Sequence, residues 1–332
     1  MKAPFGSRQL VGVVLAVNSS CQLPANKLKR CLVYLDETPL FSSQDIKFLT
    51  WVSRYYHQPL GEVLSLAMPA LLRQGQSLHP PQAVRWQLTA TGKQAEASSL
   101  GRAYKQAELL KFLQKEQQAF TQTKLQTAGF SLALIKGLAE KNLIEEVKFT
   151  RTTAGIGLPK LNLAEAPTHL LTQPELVLSD EQALALTSLS QGLNEFKVSL
   201  LEGVTGSGKT EVYLQLMHLV LQAGKQVLVL VPEIGLTPQT LARFSARFNV
   251  KLVALHSGLT PSQRLSAWRQ GVEGQAKIIL GTRSAILAPL PNLGLILVDE
   301  EHDASYKQQD TLRYQARDLA VFKAKQLNIP LV

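Results

Sequence analysis

The sequence predicts an α/β protein whose largest part is a parallel sheet covered by helices on both faces. Three observations predict this class. Short apolar runs alternate with amphipathic helical segments beyond residue 178, as a doubly covered sheet requires. A glycine-rich loop stands between a predicted strand and a predicted helix in the same half of the chain. The 332 residues, 45% of them hydrophobic, suffice for two or three domains with separate cores.

Residues 1–72 are predicted to form a small α/β unit. The alternation of apolar residues over Leu10–Val17 is typical of a strand, and a second apolar run covers residues 32–35. Helical spacing follows over residues 43–56. The residues on the apolar face of that helix are Ile46, Leu49 and Val52.

A helical unit is predicted between two linkers. Residues 73–102 are polar with a pair of prolines, and residues 151–177 are rich in Gly and Pro, so we expect both to be linkers. Residues 103–150 follow the order helix, helix, turn, helix, strand, which is that of a winged helix whose third helix can enter a major groove. Only Lys136 and Lys141 add charge to that helix, so a small helical spacer is the alternative.

Residues 178–332 are predicted to form the parallel sheet with its covering helices. A helix over residues 211–222 directly follows the glycine-rich loop and is closed by Gly224. Six apolar runs are the predicted strands: 198–201, 227–231, 252–255, 278–280, 295–298 and 329–332.

The charge balance predicts a polyanionic partner. Lysine and arginine outnumber aspartate and glutamate by 35 to 25, and residues before 176 carry eight of the ten excess positive charges. Nucleic acid is favoured over membrane, and a merely solvated basic surface is the alternative. No run approaches the ~20 apolar residues of a membrane span.

The two cysteines, Cys21 and Cys31, are too few for a disulfide framework or a structural zinc site, so no zinc is expected. Leu10–Val17 could imitate the core of a signal peptide, but no clear cleavage site follows it. We therefore expect a cytoplasmic protein with reduced thiols.

A phosphate-binding loop is predicted from the pattern G-x-x-x-x-G-K-[ST] between a strand and a helix. Its glycines allow backbone N–H groups to face phosphates, and the helix N-terminus adds positive potential. Lys209 is expected to reach the β and γ phosphates of ATP, and the hydroxyl of Thr210 to bind Mg²⁺. The loop residues are Gly203, Val204, Thr205, Gly206, Ser207, Gly208, Lys209 and Thr210.

Three acids and a histidine follow the predicted strand that ends at Val298. Asp299 is expected to hold Mg²⁺, and Glu300 to orient or deprotonate the attacking water. His302 is expected to bond the γ-phosphate or a polar partner in another lobe, and a plain core histidine is the alternative.

At this point the sequence resembles the superfamily 2 DExH helicases, and within them the primosomal replication-restart helicases. The ordered motifs that carry the resemblance are GVTGSGKT at 203–210, PEIGLT at 232–237, HSG at 256–258, GTRSA at 281–285, DEEH at 299–302 and RYQARD at 313–318.

The resemblance implies a fold and a set of contacts. It implies a RecA-like motor lobe, a P-loop NTPase over residues 178–332 that is incomplete at its C-terminus, in which Gln182 reads the adenine edge. It implies a truncated domain over residues 1–72 that binds the 3′ end of DNA, with Gly6 and Lys29 in its pocket. The residues expected to touch a single-stranded backbone are Gly235, Thr237, Thr282 and Arg283.

The loop after the acids is polar and aromatic, and is expected to couple DNA binding to hydrolysis. The residues expected to stack on bases or contact phosphate are Tyr306, Lys307, Arg313 and Tyr314. The resemblance implies a fragment of a 3′ to 5′ helicase with little unwinding activity by itself. Its implied partners are forked and single-stranded DNA, other primosome proteins and single-strand DNA-binding protein. A non-catalytic fork-binding module and another superfamily 2 translocase are the alternatives.

Overall fold

A computed structural model describes residues 1–17, 23–24, 27–79, 83–96, 100, 103–116, 118–149, 170–204, 206–310 and 312–332. The chain divides into two compact units. The larger unit comprises residues 1–78 and 154–332, and the smaller one residues 79–153. No helix in the described part of the chain is long and apolar enough to cross a membrane.

A parallel four-stranded sheet is the centre of the larger unit, in the strand order β7-β8-β6-β9. Its strands are β6 (Gln226–Leu230), β7 (Leu252–Leu255), β8 (Ile278–Gly281) and β9 (Leu293–Val298). These confirm four of the predicted runs. The other two contribute single parallel bridges, because Leu331 pairs with both Ile296 and Val198.

Helices cover both faces of this sheet, as predicted. Successive residues of β6 point into two different cores: Val227 and Val229 into one, Leu228 and Leu230 into the other. The first core is closed by α9 and α10, and the second by α11 and α12. The helices are α8 (Asp180–Ser190), α9 (Lys209–Gln222), α10 (Pro238–Arg247), α11 (Pro261–Val272) and α12 (Ala316–Leu327).

The second core also contains helices from the start of the chain. Phe48, Leu49 and Val52 are buried, and the Trp51 ring stacks on Phe322 of α12 at 3.7 Å between ring centroids. Ile46, predicted on this face, is partly buried against the same core. These helices are α1 (Ser43–Tyr55), α2 (Leu60–Ala67) and α3 (Ala70–Arg73).

The strand predicted over residues 10–17 is shorter in the structure. An antiparallel hairpin joins β1 (Lys2–Phe5) to β2 (Arg8–Val11), and residues 12–17 form no strand. Apolar side chains such as Phe5 and Val17 are largely exposed there. The predicted strand was too long because alternation of apolar residues does not show where the neighbouring strand ends.

The smaller unit has a three-stranded antiparallel sheet of order β4-β3-β5 with helices against it. The structure places the central strand of this sheet where the sequence predicted a linker. The strand is short and follows two prolines, which favoured a linker, but its side chains Trp86 and Leu88 are buried in the core. The elements are β3 (Ala83–Leu88), α4 (Ala90–Gln94), α5 (Tyr104–Glu116), β4 (Phe120–Thr121), α6 (Gln122–Thr127), α7 (Leu132–Glu140) and β5 (Ile144–Phe149). The predicted helix, helix, turn, helix and strand are therefore present, whereas the assignment as a DNA-binding winged helix stays a prediction.

A buried lysine joins α12 to the turn of 3₁₀ helix Arg283–Leu287. Lys323 Nζ donates to the carbonyl oxygens of Ile286 at 2.8 Å and Ala288 at 2.6 Å, and lies 5.1 Å from the centre of the Phe48 ring. Burial lowers the pKa of Lys323 to about 8, against a smaller opposing influence of Asp45.

The stability of the larger unit is expected to rise with pH because of Lys323. The pKa of a lysine in the unfolded chain is about 10.4, so between about pH 8 and that value the folded state binds fewer protons than the unfolded state. Stability then increases with pH, by about 2 kcal/mol from about pH 7.5 to about pH 9.5. Denaturant unfolding at both pH values gives the free energy of unfolding of the native chain and of Lys323→Met. The gain is the change in this free energy with pH in the native chain minus the change in the variant.

Lys325→Met is the matched control, since Lys325 is exposed on the same helix. Its pH dependence should equal that of the native chain. If Lys323→Met also keeps the native pH dependence, the ammonium group is not desolvated as the contacts indicate.

Candidate nucleotide-binding site

A cavity of about 840 Å³ brings the predicted phosphate loop and the predicted metal-binding acid together. Residues 206–211 line this cavity, and so do Asp299 and Glu300, which follow β9. Gln173, Pro174 and Leu176 also line it, together with Arg243 and Arg247 of α10. Because the acids follow the carboxyl end of a parallel strand, the cavity lies where ligands of such sheets bind.

The phosphate loop has the backbone geometry that its glycines predict. Gly206 and Gly208 have φ angles of +84° and +80°, which only glycine adopts readily. The Ser207 hydroxyl is buried and has no hydrogen-bond partner among the described residues, and Lys209 Nζ contacts the Gly203 carbonyl oxygen. An unpaired buried donor inside a glycine cradle fits a bound phosphate chain. Thr205 lies outside the described residues, and Val204, which precedes it in the sequence, lines the cavity.

Thr210 and Asp299 both line the cavity, so the structure brings the two predicted metal ligands to one site. Burial and the neighbouring Glu300 raise the pKa of Asp299, while a backbone hydrogen bond, Lys209 and Arg243 oppose the shift. In the part of the chain that is described, no three His, Cys, Asp or Glu side chains form a metal-binding group. A hydroxyl and one carboxylate suit Mg²⁺, which usually takes few protein ligands and completes its shell with phosphate oxygens and water.

Glu300 and His302, the other two residues predicted to be catalytic after β9, are exposed. Glu300 has φ of +48° and its carboxylate lies 3.7 Å from His302 Nε2. The His302 side chain is 77% exposed, so it is not the core histidine considered as an alternative. Glu301 instead pairs with Arg317 at 2.6 Å, which fixes the run to the start of α12.

Gln182 lies against the phosphate loop. Its Oε1 accepts from the Ser179 backbone N–H at 2.9 Å, and its Nε2 donates to the Ser207 carbonyl oxygen at 2.9 Å. Both the oxygen and the nitrogen of the side-chain amide are thus hydrogen-bonded within the protein. The predicted contact with adenine stays a prediction.

An ionic network that the sequence did not reveal ties residues 174–176 to the phosphate-loop helix. Glu211 Oε1 contacts the Arg247 guanidinium and accepts from Gln215 Nε2 at 2.8 Å and the Leu176 N–H at 3.2 Å. Arg247 also donates to the Pro174 carbonyl oxygen at 2.6 Å. The acid in the first turn of α9 was visible in the sequence, but its partner lies 36 residues away.

Tyr213 was also missed. Its hydroxyl donates to Thr210 Oγ1 at 3.2 Å, and its ring stacks on Phe244 at 6.3 Å between centroids with 13° between the planes. Burial, and to a lesser extent Asp299, raise the pKa of Tyr213 to about 12. The sequence could have indicated this contact, because residues three apart on a helix, such as Thr210 and Tyr213, are neighbours on its surface.

The residues predicted to contact the backbone of single-stranded DNA follow β6 and β8, at the same edge of the sheet as the cavity. Thr237 caps α10 through Thr240 N, while Gly235 accepts from Thr240 Oγ1 at 2.8 Å. Thr282 is buried, and Arg283 donates to the Ser305 carbonyl oxygen at 3.1 Å. Their contact with DNA stays a prediction.

The loop after the acids differs from the expectation. Tyr306 and Tyr314 are buried, which corrects the expectation that their rings are free to stack on bases. The Tyr306 hydroxyl lies 2.6 Å from the Asp299 carbonyl oxygen and 3.0 Å from that of Leu230. Lys307 and Arg313, in contrast, are exposed. The cations of this loop are accessible and its two tyrosines anchor it.

Gly6 and Lys29 belong to the exposed N-terminal hairpin region. Gly6 forms the turn between β1 and β2 with φ of +59°, and Lys29 is exposed. Val33 forms an antiparallel bridge with Lys2, which joins the segment after Lys29 to the first strand of the hairpin, and a pocket shared by Gly6 and Lys29 stays a prediction.

The shared cavity, the sheet order and the glycine-rich loop define the class of the larger unit as a P-loop α/β lobe. The family described as DEAD/DEAH box helicase matches residues 179–330. The family described as 3'DNA-binding domain matches residues 1–69. A helicase domain of this kind uses ATP and Mg²⁺.

Three curated relatives are each named Replication restart protein PriA. The one from Haemophilus influenzae is 44% identical over 99% of this chain and 44% of that protein. That from Chlamydia muridarum is 37% identical over 86% of this chain and 37% of that protein. That from Bacillus subtilis is 31% identical over 99% of this chain and 48% of that protein. The chain belongs to the PriA family, and it spans less than half the length of these relatives.

Proposed function

We propose that this chain supplies the ATP-binding lobe and DNA-binding parts of a 3′ to 5′ DNA helicase that restarts replication at stalled forks. The observation that carries the proposal is that residues of the phosphate loop and Asp299 line the same cavity. Forked and single-stranded DNA are the proposed substrates, and other primosome proteins and single-strand DNA-binding protein the proposed partners. The cytoplasm is the proposed location.

In the proposed reaction, the loop N–H groups and the Ser207 hydroxyl donate to the phosphates, and Lys209 contacts the β and γ phosphates. Thr210 and Asp299 would hold Mg²⁺, which neutralises charge on the β and γ phosphate oxygens when bound. Glu300, which is exposed and lines the cavity, orients the attacking water or accepts its proton.

The proposed coupling to DNA runs through the loop after the acids. Exposed Lys307 and Arg313 contact the phosphates of a single strand. Movement of this loop reaches the site because the Tyr306 hydroxyl is bonded to the Asp299 backbone. Arg283 joins the same loop through Ser305, so a strand lying along β8 acts on it as well.

The test is to measure binding of a fluorescent ATP analogue, ATPase activity and unwinding for the 332-residue chain, with and without forked DNA. We expect Mg²⁺-dependent nucleotide binding, fork binding, little turnover and no unwinding, because the chain spans less than half the length of its PriA relatives. Asp299→Asn should retain binding in EDTA and lose the Mg²⁺ dependence.

Two results would contradict the proposal. Fork binding without any nucleotide binding would identify a non-catalytic DNA-binding module. Robust unwinding by this chain would show that the remaining length of its relatives is not needed for the activity.

A further inference from the structure

Tyr213 is held in place by two helices of the nucleotide-binding lobe. It lies one turn beyond Thr210 on α9, and its ring stacks nearly parallel on Phe244 of α10, which is buried. Its hydroxyl donates to Thr210 Oγ1 at 3.2 Å, and among the described residues the structure gives it no other hydrogen bond. The ring is therefore fixed by packing, and the hydroxyl points at one oxygen atom.

A threonine hydroxyl has one hydrogen and two lone pairs. Tyr213 occupies one lone pair of Thr210 Oγ1. One lone pair then remains for a metal ion, and the hydrogen needs an acceptor elsewhere. The Asp299 carboxylate, which lines the same cavity, is an acceptor of this kind. The hydrogen and both lone pairs of the Thr210 hydroxyl would thus be used when Mg²⁺ is bound.

Without this bond the hydroxyl of a threonine in a helix rotates, or donates back to a carbonyl of the preceding turn. Either orientation would withdraw the lone pair from the cavity. We propose that Tyr213 is a positioning residue that orients the Thr210 hydroxyl for Mg²⁺. This inference rests on the proposed function, because it assumes that Thr210 binds the metal of a nucleotide complex.

Packing alone does not require the tyrosine. A phenylalanine would stack on Phe244 equally well, and burial of a hydroxyl is unfavourable unless it is hydrogen-bonded. Tyr213→Phe therefore removes the hydrogen bond and keeps the ring.

The experiment is a Mg²⁺ titration of the binding of a fluorescent ATP analogue to the purified chain. For Tyr213→Phe we expect the Mg²⁺ concentration at half-maximal binding to rise by about 2- to 10-fold, the range for loss of one neutral hydrogen bond. The affinity in EDTA and the midpoint of thermal unfolding should stay as in the native chain. Tyr55→Phe is the matched control, since Tyr55 is exposed on α1, and it should change none of these quantities.

A second variant tests whether Tyr213 acts through Thr210. In a Thr210→Val background, Tyr213→Phe should have no further effect on the Mg²⁺ requirement. Equal losses of affinity with Mg²⁺ and in EDTA, an unchanged Mg²⁺ requirement in Tyr213→Phe, or additive effects in the double variant would each overturn the inference. If the native chain itself binds the analogue without any Mg²⁺ dependence, the proposed function fails instead.

Discussion

Replacing Arg247 by Met is expected to lower the free energy of unfolding of the larger unit by about 3 to 5 kcal/mol, as is usual when one partner of a buried ion pair is removed. The Arg247 side chain is 6% exposed and its partner Glu211 13% exposed. The variant leaves the Glu211 carboxylate without its counter-ion, and Pro174 loses the donor to its carbonyl oxygen. Denaturant unfolding measures the loss.

Arg243→Met is the matched control for stability. Arg243 lies one helical turn before Arg247 on the same helix and is exposed, and the structure gives it neither a hydrogen bond nor an ion pair among the described residues. A surface change of this kind usually alters stability by no more than about 0.5 kcal/mol. Similar losses in both variants would mean that the charge of α10, rather than the pair with Glu211, determines stability.

A double variant separates the pair from its surroundings. Glu211→Gln alone should also be strongly destabilising, because it leaves the guanidinium buried and unpaired. Combined with Arg247→Met, its additional cost should be much smaller than its cost in the native chain. Additive losses would show that the two charges do not act as a pair.

The backbone geometry of the glycine-rich loop and the position of the acids after a strand could be predicted from the sequence, because both depend on neighbours in the chain. Spacing within eight residues places the glycines of the loop, and the structure gives Gly206 and Gly208 the positive φ angles that such a turn needs. The buried strands were visible for the same reason, since continuous apolar runs are typical of a parallel sheet covered on both faces.

The parts that depend on distant residues could not be predicted. Tyr306 stands in a polar segment, so its surroundings in sequence indicate a surface loop, yet its ring is buried and its hydroxyl bonds the Asp299 backbone. Glu211 and Arg247 are each ordinary surface residues by local pattern. Periodicity describes which side of an element is apolar, and it does not show which other element covers that side.

Lys209→Ala is expected to lower the affinity for ATP by about 100-fold or more. The ammonium group is the one charged donor of the phosphate loop, and charge-assisted hydrogen bonds to phosphates are about twice as strong as neutral ones. Stability should change little, because Lys209 is only half-buried and its contact in the structure is with the Gly203 carbonyl oxygen of the same loop. Titration with a fluorescent ATP analogue measures the first effect, and thermal unfolding the second.

Lys325→Ala removes the same charge from an exposed position on α12 and should leave ATP affinity as it is. This control tests whether the net charge of +10, which attracts an anionic nucleotide at long range, contributes to the affinity apart from any direct contact. A loss confined to Lys209→Ala identifies a direct contact with phosphate. Equal affinity in the native chain and Lys209→Ala would remove the phosphate-loop assignment, and with it the proposed ATP site, since no other lysine among the described residues lines the cavity.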